Sequence, residues 1–383
     1  MRFESLLRSA LEALARDGLL REPDDGRERH RVEARAAELG LSLLDATSND
    51  YLGLAQRRVS RETSGRAGAG ASRLIHGTAA EHLQLETELA HWVGAESALL
   101  FASTYAANLG LISALGLEGT VIISDAANHA SLIDGARLAK AEVVVVPHLQ
   151  GAAVEAALRQ GRTAGACWVV TESYFSMDGD GPDLRELRRI CDEQDACLIV
   201  DEAHALGVFG PHGAGRCSEL GVRPDILVGA LGKAVGTHGG FVAGSSLLRR
   251  FLWNRARSFV FSTALSPAHA ELSLGQVRAA QSADDARARL HANAEALRTT
   301  LTAAGLTLVG GSFGPIVSVI LGDNERAAIA AARLKAAGIL AHAVRPPTVP
   351  VGSARLRLTV NSSLTADEIS RLANAMEAAC RVS

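Results

Sequence analysis

Six short apolar runs between residues 121 and 244 constrain the fold more than any other feature of the sequence. Helix-length stretches lie between several of them, and this alternation is typical of a parallel sheet with helices on its faces. The sequence therefore predicts a large α/β domain with a mainly parallel sheet. The runs cover residues 121–123, 143–146, 168–170, 197–200, 226–228 and 241–243.

The chain divides into segments that differ in residue pattern. From about residue 283 the pattern changes to long Ala/Arg/Leu helices with short apolar runs at 316–321 and 355–360, which predicts a separate, smaller α+β domain. The first residues place Phe3, Leu7, Leu11 and Leu14 at helical spacing, typical of a docked amphipathic helix. We expect an N-terminal helical segment over 1–46, a large domain over 47–283 and a small C-terminal domain over 284–383.

Charge, hydropathy and cysteine content exclude several classes of function. A formal net charge of -3 gives no electrostatic reason to expect nucleic acid. No stretch approaches the ~20 apolar residues that span a bilayer, so we expect no membrane partner. The 5 cysteines form no Cys-x-x-Cys unit, which argues against a disulfide framework and a zinc site and favours the reducing cytoplasm.

Polar residues follow four of the predicted strands, where open parallel sheets bind their ligands. Asn128 and His129 follow the first run, and residues 176–180 follow the third. Asp201 and His204 follow the fourth run, and Lys233 follows the fifth. An imidazole, a hydroxyl, a carboxylate and an amine are therefore expected to meet at one edge of the sheet.

This set matches the requirements of pyridoxal 5'-phosphate (PLP). The cofactor needs an amine for a Schiff base, a carboxylate beside the pyridine nitrogen and a partner that stacks on the ring. Lys233, Asp201 and His129 would supply these groups, and His204 would reach the phenolic oxygen. Alone, such an aspartate is ordinarily a cap and such a lysine a loop residue; their combination at successive strand ends favours the cofactor.

A phosphate site is expected where small and hydroxyl residues open a helix. The apolar run 98–101 is followed by Ser103, Thr104 and Tyr105. Free amides at a helix N-terminus favour an anion. The sequence therefore predicts that the cofactor phosphate binds at this helix start.

Several motifs together resemble the α-oxoamine synthase family of fold-type I PLP enzymes, and the resemblance runs nearly end to end. Residues 345–350, followed by 354–358, resemble the members that use a pimeloyl thioester more than the other members. The remaining motifs lie at residues 48–54, 128–132, 176–180, 201–204, 232–233 and 261–263.

The resemblance implies a role for each matching residue. Lys233 forms the Schiff base and moves protons at the substrate Cα, and Asp201 pairs with the pyridine nitrogen. His129 stacks on the ring and assists condensation. The resemblance also implies that residues 1–46 cover the substrate and that residues 47–283 bind the cofactor. Further implied contacts are Ser176 and His204 to the ring oxygen, Thr104 and Tyr105 to the phosphate, Ser262 and Thr263 to a neighbour's phosphate in a homodimer, and Arg21, Asn49, His129, Arg345 and Thr348 to substrate.

Three positions depart from the family pattern. Ala230 stands where a threonine usually hydrogen-bonds the phosphate, and Thr104 stands where glycine is commoner. His76 occupies a position that a smaller residue usually holds near the ring; a structural histidine is the simpler interpretation. These departures make the number of side-chain donors to the phosphate an open question.

The reaction implied is the decarboxylative condensation of L-alanine with a pimeloyl thioester to give an amino ketone, carbon dioxide and free thiol. The acyl carrier is CoA or an acyl carrier protein, and a basic run at Arg249, Arg250, Arg255 and Arg257 would suit an acidic carrier. One alternative is another member of the family, above all a glycine C-acetyltransferase (2-amino-3-ketobutyrate CoA ligase), which joins glycine and acetyl-CoA. Another is a binding module with this fold and no turnover.

Overall fold

The computed structural model describes residues 2–16, 20, 27–57, 65–161, 165–346 and 348–381. The strands are β1 (Leu44–Asp45), β2 (Ser97–Phe101), β3 (Thr120–Asp125), β4 (Glu142–Val146), β5 (Ala166–Glu172), β6 (Cys197–Asp201), β7 (Ile226–Ala230), β8 (Gly240–Gly244), β9 (Ile316–Gly322), β10 (Ile339–Leu340), β11 (His342–Val344) and β12 (Ala354–Thr359). The helices are α1 (Arg2–Arg16), α2 (Arg27–Glu38), α3 (Ala80–Trp92), α4 (Thr104–Leu115), α5 (Ala130–Leu138), α6 (Gly151–Gln160), α7 (Leu184–Glu193), α8 (Arg216–Leu220), α9 (Ser246–Arg255), α10 (Arg257–Val260), α11 (Pro267–Gln281), α12 (Asp284–Ala303), α13 (Asn324–Ala336) and α14 (Ala366–Cys380).

Seven strands form the central sheet, in the order β2-β8-β7-β6-β5-β3-β4. Strands β3 to β7 pair in parallel, whereas β8 is antiparallel to both of its neighbours. The six apolar runs of the sequence lie in β3 to β8. The predicted α/β fold with a mainly parallel sheet is therefore confirmed.

Apolar side chains cover both faces of this sheet. One core unites residues of α4 and α5 with those of β3 and β7, and another unites α6 and α7 with β5 and β6. Helix α7 shows how the sequence specifies such packing: Leu184, Leu187 and Ile190 are buried at helical spacing, and the Asp183 side chain accepts hydrogen bonds from the first-turn amides of Arg185 and Glu186. A cap of this kind stabilises a helix by about 1 kcal/mol.

The C-terminal part forms its own three-stranded antiparallel sheet, β11-β12-β9, with α12, α13 and α14 around it. Strand β1 of the N-terminal segment pairs in parallel with β10. The N-terminal segment is therefore joined by backbone hydrogen bonds to the C-terminal unit. The domain boundaries at residues 46 and 283 stay a prediction.

Two features of the N-terminal segment differ from what the sequence suggests. The charge of residues 21–35 suggests a solvated connector, but the chain forms α2 from residue 27 onward, and this helix buries Val32 and Ala36. Helix α1 is present, but its apolar side chains are exposed in the protomer, with Phe3 at 70% and Leu6 at 69%. Among the described residues, no helix is long and apolar enough to cross a membrane.

Candidate active site

The polar residues that follow β3, β5, β6 and β7 meet at one edge of the sheet, as the sequence predicted. Neighbouring parallel strands place their carboxyl ends side by side. Glu172 at the end of β5 is in register with Asp201 at the end of β6. Their charges, with those of His129 and Lys233, act on one another strongly enough to shift pKa values.

Lys233 lies three residues beyond β7, in a turn closed by a hydrogen bond from the Gly236 amide to its carbonyl at 2.9 Å. Part of the side chain is accessible, but the amine is enclosed by protein. Burial lowers its pKa to about 8, although the carboxylates of Asp201 and Glu172 oppose the shift. An amine with such a pKa is present as a nucleophile at neutral pH far more often than an ordinary lysine.

Asp201 is buried and held by two donors. Its Oδ1 accepts the Ala203 amide at 2.8 Å, and its Oδ2 accepts Nδ2 of Asn108 at 2.7 Å. Asn108 lies in α4 and is itself fully buried, with its Oδ1 unpartnered. The carboxylate is therefore fixed in direction by these two donors.

His129 caps the start of α5. Its backbone amide donates to Oε1 of Glu172 at 2.6 Å, and its Nδ1 lies 2.8 Å from Oγ of Ser131. Ser131 Oγ also accepts Nδ2 of Asn108 at 2.9 Å, which links His129 to Asp201. Partial burial lowers the pKa of His129, against the opposing charge of Asp201, so the ring is neutral near pH 7. His129 is exposed overall, as stacking on a ligand requires.

His204 follows β6 and is buried. Its Nδ1 lies 2.7 Å from the hydroxyl of Tyr51, a residue of the motif 48–54. Burial holds the pKa of His204 well below its usual value, and the charges of Lys233 and Arg357 add to the shift. Burial also raises the pKa of Tyr51 to about 12. Both groups are therefore neutral hydrogen-bonding partners at physiological pH.

Arg357 is a buried cation beside the cluster. Its Nη2 donates to Oδ1 of Asn49 at 3.0 Å, its Nε donates to the carbonyl of Ser176 at 2.5 Å, and its Nη1 donates to the hydroxyl of Thr359. Among the described residues, no carboxylate forms an ion pair with it. A buried guanidinium with only neutral partners is costly unless an anion binds there.

The predicted phosphate site is the first turn of α4. Ser103 caps this 12-residue helix by accepting the Ala106 amide at 3.1 Å. The amides of Thr104 and Tyr105 lie in the first turn, where a helix supplies no acceptor. A Cβ on Gly240 of β8 would lie 2.5 Å from the Thr104 backbone. The absence of a side chain at Gly240 thus lets the helix start lie against the sheet.

Other predicted residues lie outside this cluster. Ser262 and Thr263 follow α10, and Thr263 is exposed and pairs with Ser72 through an isolated bridge. Arg345 and Thr348 are joined by a backbone hydrogen bond of 3.1 Å beyond β11. No hydrogen bond among the described residues connects their side chains to the cluster. Arg21 lies outside the described residues.

The structure shows where the three residues that depart from the family pattern lie. Ala230 is buried as the last residue of β7 and pairs with Gly240. Thr104 is the first residue of α4. His76 is exposed in the protomer. The interpretation of His76 as a histidine satisfied inside the fold is therefore not supported.

Sequence reasoning assigned no role to Asn108, Glu172, Tyr51 or Arg357, all of which contact the predicted residues. Two of them carried a signal that was available. Asn108 interrupts a mainly apolar helix, and Arg357 stands two residues after another arginine in a strand that is buried throughout. A polar group in a buried element needs a partner, so both positions indicated a buried site.

The described residues fit PLP. Asp201 is a fixed carboxylate that forms no ion pair with any described cation, and Lys233 is an enclosed amine that forms none with a described carboxylate. The helix start at Thr104 offers amides to a phosphate. Together these groups match the ring nitrogen, aldehyde and phosphate of the cofactor.

Comparisons with known proteins show the family to which the chain belongs. Residues 42–376 match the family model of class I and II aminotransferases. The 8-amino-7-oxononanoate synthase of Mycolicibacterium smegmatis is 44% identical over 90% of this chain and 92% of its own. The crystal structure of 8-amino-7-oxononanoate synthase from Francisella tularensis is similar with a TM-score of 0.74 and 29% identity, covering 88% of this chain and 97% of that one. A serine palmitoyltransferase from S. paucimobilis with a bound PLP-myriocin aldimine gives a TM-score of 0.83 and 31% identity over 88% of this chain and 87% of that one.

Proposed function

The chain belongs to the class I and II aminotransferase family and, within it, to the α-oxoamine synthases, and we propose that it condenses a pimeloyl thioester with L-alanine. The products are 8-amino-7-oxononanoate, carbon dioxide and the free thiol, and the reaction belongs to biotin biosynthesis. The protein is a PLP-dependent acyltransferase. The observation that carries the proposal is the enclosed Lys233 amine, whose pKa of about 8 reflects burial beside the carboxylates of Asp201 and Glu172.

PLP supplies an electron sink that stabilises negative charge at the substrate Cα. The residues of this chain bind and orient it. The amine of Lys233 would hold the cofactor aldehyde, and it would move the proton at the substrate Cα. Asp201, fixed by Asn108 and the Ala203 amide, holds a proton at the pyridine nitrogen.

The residues proposed for the remaining cofactor contacts lie at or near the same edge of the sheet. His129 would hold the ring by stacking, and neutral His204, hydrogen-bonded to Tyr51, would donate to the ring oxygen together with Ser176. The amides of Thr104 and Tyr105 would bind the phosphate. Because Ala230 has no hydroxyl, these amides carry more of the phosphate binding than in members with a threonine there.

Arg357 and Asn49 are proposed to bind the substrate carboxylate. The guanidinium is 4% exposed, has only neutral partners and lies close enough to Lys233 to lower its pKa. A guanidinium binds two carboxylate oxygens at once. Arg21, Arg345 and Thr348 remain candidates for the acyl chain or a second anionic group on the strength of the family resemblance.

We expect the variant Arg357→Gln to lower kcat/KM for L-alanine roughly 150-fold, because the substrate carboxylate loses its charged partner. This factor corresponds to a loss of about 3 kcal/mol of transition-state stabilisation. PLP content should be unchanged. Steady-state kinetics at varied alanine concentration measure the loss, with Arg289→Gln, an exposed arginine of α12, as the matched control. A change within about threefold would assign the carboxylate elsewhere, and Arg345→Gln would then be the next variant.

A product assay tests the reaction itself. L-alanine and glycine are each offered with pimeloyl-CoA and acetyl-CoA, and products are identified by mass. Alanine with the pimeloyl donor should be turned over at least ~100-fold better in kcat/KM than glycine with acetyl-CoA, since discrimination rests on a chain of several methylenes. The reverse preference would establish the glycine C-acetyltransferase alternative.

The acyl carrier is addressed by offering the pimeloyl group on CoA and on acyl carrier protein. The basic run offers limited free charge: Arg249 pairs with Glu86 at 3.0 Å, and Arg257 lies over the Phe261 ring. Arg250 and Arg255 are exposed. A carrier protein that docks there would give a KM that rises with salt.

A homodimer in the cytoplasm is also proposed. The bridge between Ser72 and Thr263 joins two segments that each carry an exposed apolar side chain. Phe261 is 73% exposed and Ile75 is 64% exposed. Exposed apolar patches beside a site commonly mark an interface. A second copy would cover them and place Ser262 and Thr263 at the neighbouring phosphate. Sedimentation equilibrium measures the mass of the assembly.

A further inference from the structure

His148 lies two residues beyond β4, outside the group of residues around Lys233, and both of its ring nitrogens face carboxylates. Its Nδ1 lies 2.7 Å from Oδ1 of Asp125, and its Nε2 lies 3.3 Å from Oδ2 of Asp180. The two carboxylates are almost fully buried, at 8% and 7% side-chain exposure. His148, Asp125 and Asp180 together form the imidazolium bridge. The proposed reaction makes no use of it.

The Asp125 side of the bridge leads to His129. Asp125 ends β3, and its Oδ1 also accepts the Ala127 amide at 2.8 Å, which fixes the turn that carries Asn128 and His129. Its Oδ2 accepts the Leu149 amide at 2.9 Å. Leu149 has a φ of 59°, a conformation that costs a residue with a side chain about 1 kcal/mol. Asp125 thus holds the His148 segment and the His129 turn against each other.

The Asp180 side leads to Ser176. The carbonyl of Asp180 accepts the Phe175 amide at 2.8 Å, so the turn between them presents Ser176. The Phe175 ring packs edge-on against His148 with 4.5 Å between centroids. The small sheet also holds this turn, through Ser318 to the Met177 carbonyl at 2.6 Å and Arg357 to the Ser176 carbonyl. His148 and the C-terminal unit therefore contact the same turn through different residues.

The charges around the ring favour the imidazolium. Burial alone would lower the pKa of His148, but the hydrogen bonds and charges of Asp125 and Asp180 outweigh it and raise the pKa to about 9. Asp178 also has a carboxylate oxygen within 4.8 Å of the ligand atoms of His148 and Asp180. Its charge is compensated by the ion pair with Arg355. A metal ion is disfavoured because both ring nitrogens already donate to carboxylates.

We propose that His148, as an imidazolium, is a positioning residue that ties the turn carrying His129 to the turn carrying Ser176 and so sets the spacing of the two side chains. The proposal rests on the proposed cofactor contacts of His129 and Ser176. The bridge itself joins only residues of this chain, so it is present in the protein without cofactor. The ionic bridge can therefore be measured in the cofactor-free protein, and the positioning of His129 and Ser176 in the holoenzyme.

The sign of the pH dependence follows from the raised pKa. A histidine whose pKa is higher in the folded state stabilises the folded protein. Its full contribution to the free energy of unfolding is present below the unfolded pKa of ~6.5. This contribution is lost as the pH rises through the folded pKa of about 9. In the cofactor-free protein, the unfolding equilibrium constant of His148→Gln should exceed that of the wild type by a factor that falls on the order of 10²-fold between pH 7 and pH 10. Titration of Lys233 is common to both proteins and cancels. His30→Gln, which removes an exposed histidine beside Glu33, should show no such change.

The holoenzyme test uses turnover and the visible circular dichroism of the bound cofactor. His148→Gln should retain PLP but lower kcat by on the order of 10-fold or more, as expected for misplaced groups, and change the cofactor band. Asp180→Asn, which leaves the imidazole with one carboxylate, should move the alkaline midpoint of apo-protein stability toward neutral pH. This variant keeps the proposal testable if His148→Gln does not fold.

A stability difference independent of pH, or an unmoved midpoint in Asp180→Asn, would overturn the ionic bridge. An intact bridge with unchanged kcat and cofactor dichroism would overturn the positioning role. Failure of the proposed reaction has a different signature, since it would appear as inactivity of the wild type and leave the apo-protein titration unaffected.

Discussion

The variant Lys233→Ala should lose turnover by on the order of 10⁴-fold or more and lose the visible absorption of the loaded enzyme. The absorption requires an imine between the cofactor aldehyde and an enzyme amine, and the other two lysines are far less suited. Lys335 pairs with Glu28, and Lys140 is exposed after α5. Removal of the amine also removes the group that moves the Cα proton, so one substitution abolishes both binding chemistry and proton transfer.

Absorption spectra, PLP content and initial rates check this expectation, with Lys140→Ala as the matched control. Because burial of the Lys233 amine is itself costly, the alanine variant should be at least as stable as the wild type in the apo form. Turnover and absorption that survive in Lys233→Ala would remove the assignment of the Schiff base. A wild type that binds PLP with full absorption but turns over none of the four substrate pairs would favour the binding-module alternative.

The variant Asp201→Asn should retain the fold and bind PLP, but lose on the order of 10³-fold in kcat. An amide in place of the carboxylate keeps the size of the side chain, and its oxygen still accepts Nδ2 of Asn108 or the Ala203 amide. It supplies no negative charge to keep the pyridine nitrogen protonated. The electron sink is weakened where charge develops in the transition state, so the loss appears in kcat more than in KM.

A cofactor analogue separates this role from a structural one. N-methyl pyridoxal phosphate carries a fixed positive charge on the ring nitrogen and needs no carboxylate to maintain it. It should restore part of kcat in Asp201→Ala but give no gain in the wild type. Asp285→Asn, which alters an exposed acid of α12, is the control for the substitution itself. Equal rates of wild type and Asp201→Asn with ordinary PLP would exclude the role.

The sequence was least informative where charged residues pack inside the protein. The charge of residues 21–35 suggests a solvated connector, yet the chain forms α2 from residue 27 onward and buries the apolar side chains of Val32 and Ala36. Likewise Arg357 stood in a recognised motif without a role. Whether a charged side chain faces solvent or an empty site depends on the neighbours it meets, and local periodicity does not contain that information.

The sequence by itself determined the α/β class, the order of the strands along the chain and the polar residues at their ends. Apolar runs separated by helices permit few other arrangements, and carboxyl ends of parallel strands meet at one edge. The tertiary structure alone decided which groups support them. Asn108 reaches Asp201 from α4, Glu172 holds the His129 amide from β5, and Arg357 arrives from the C-terminal unit. These contacts join residues 43 to 181 positions apart, and packing of whole elements, not local propensity, fixes such distances.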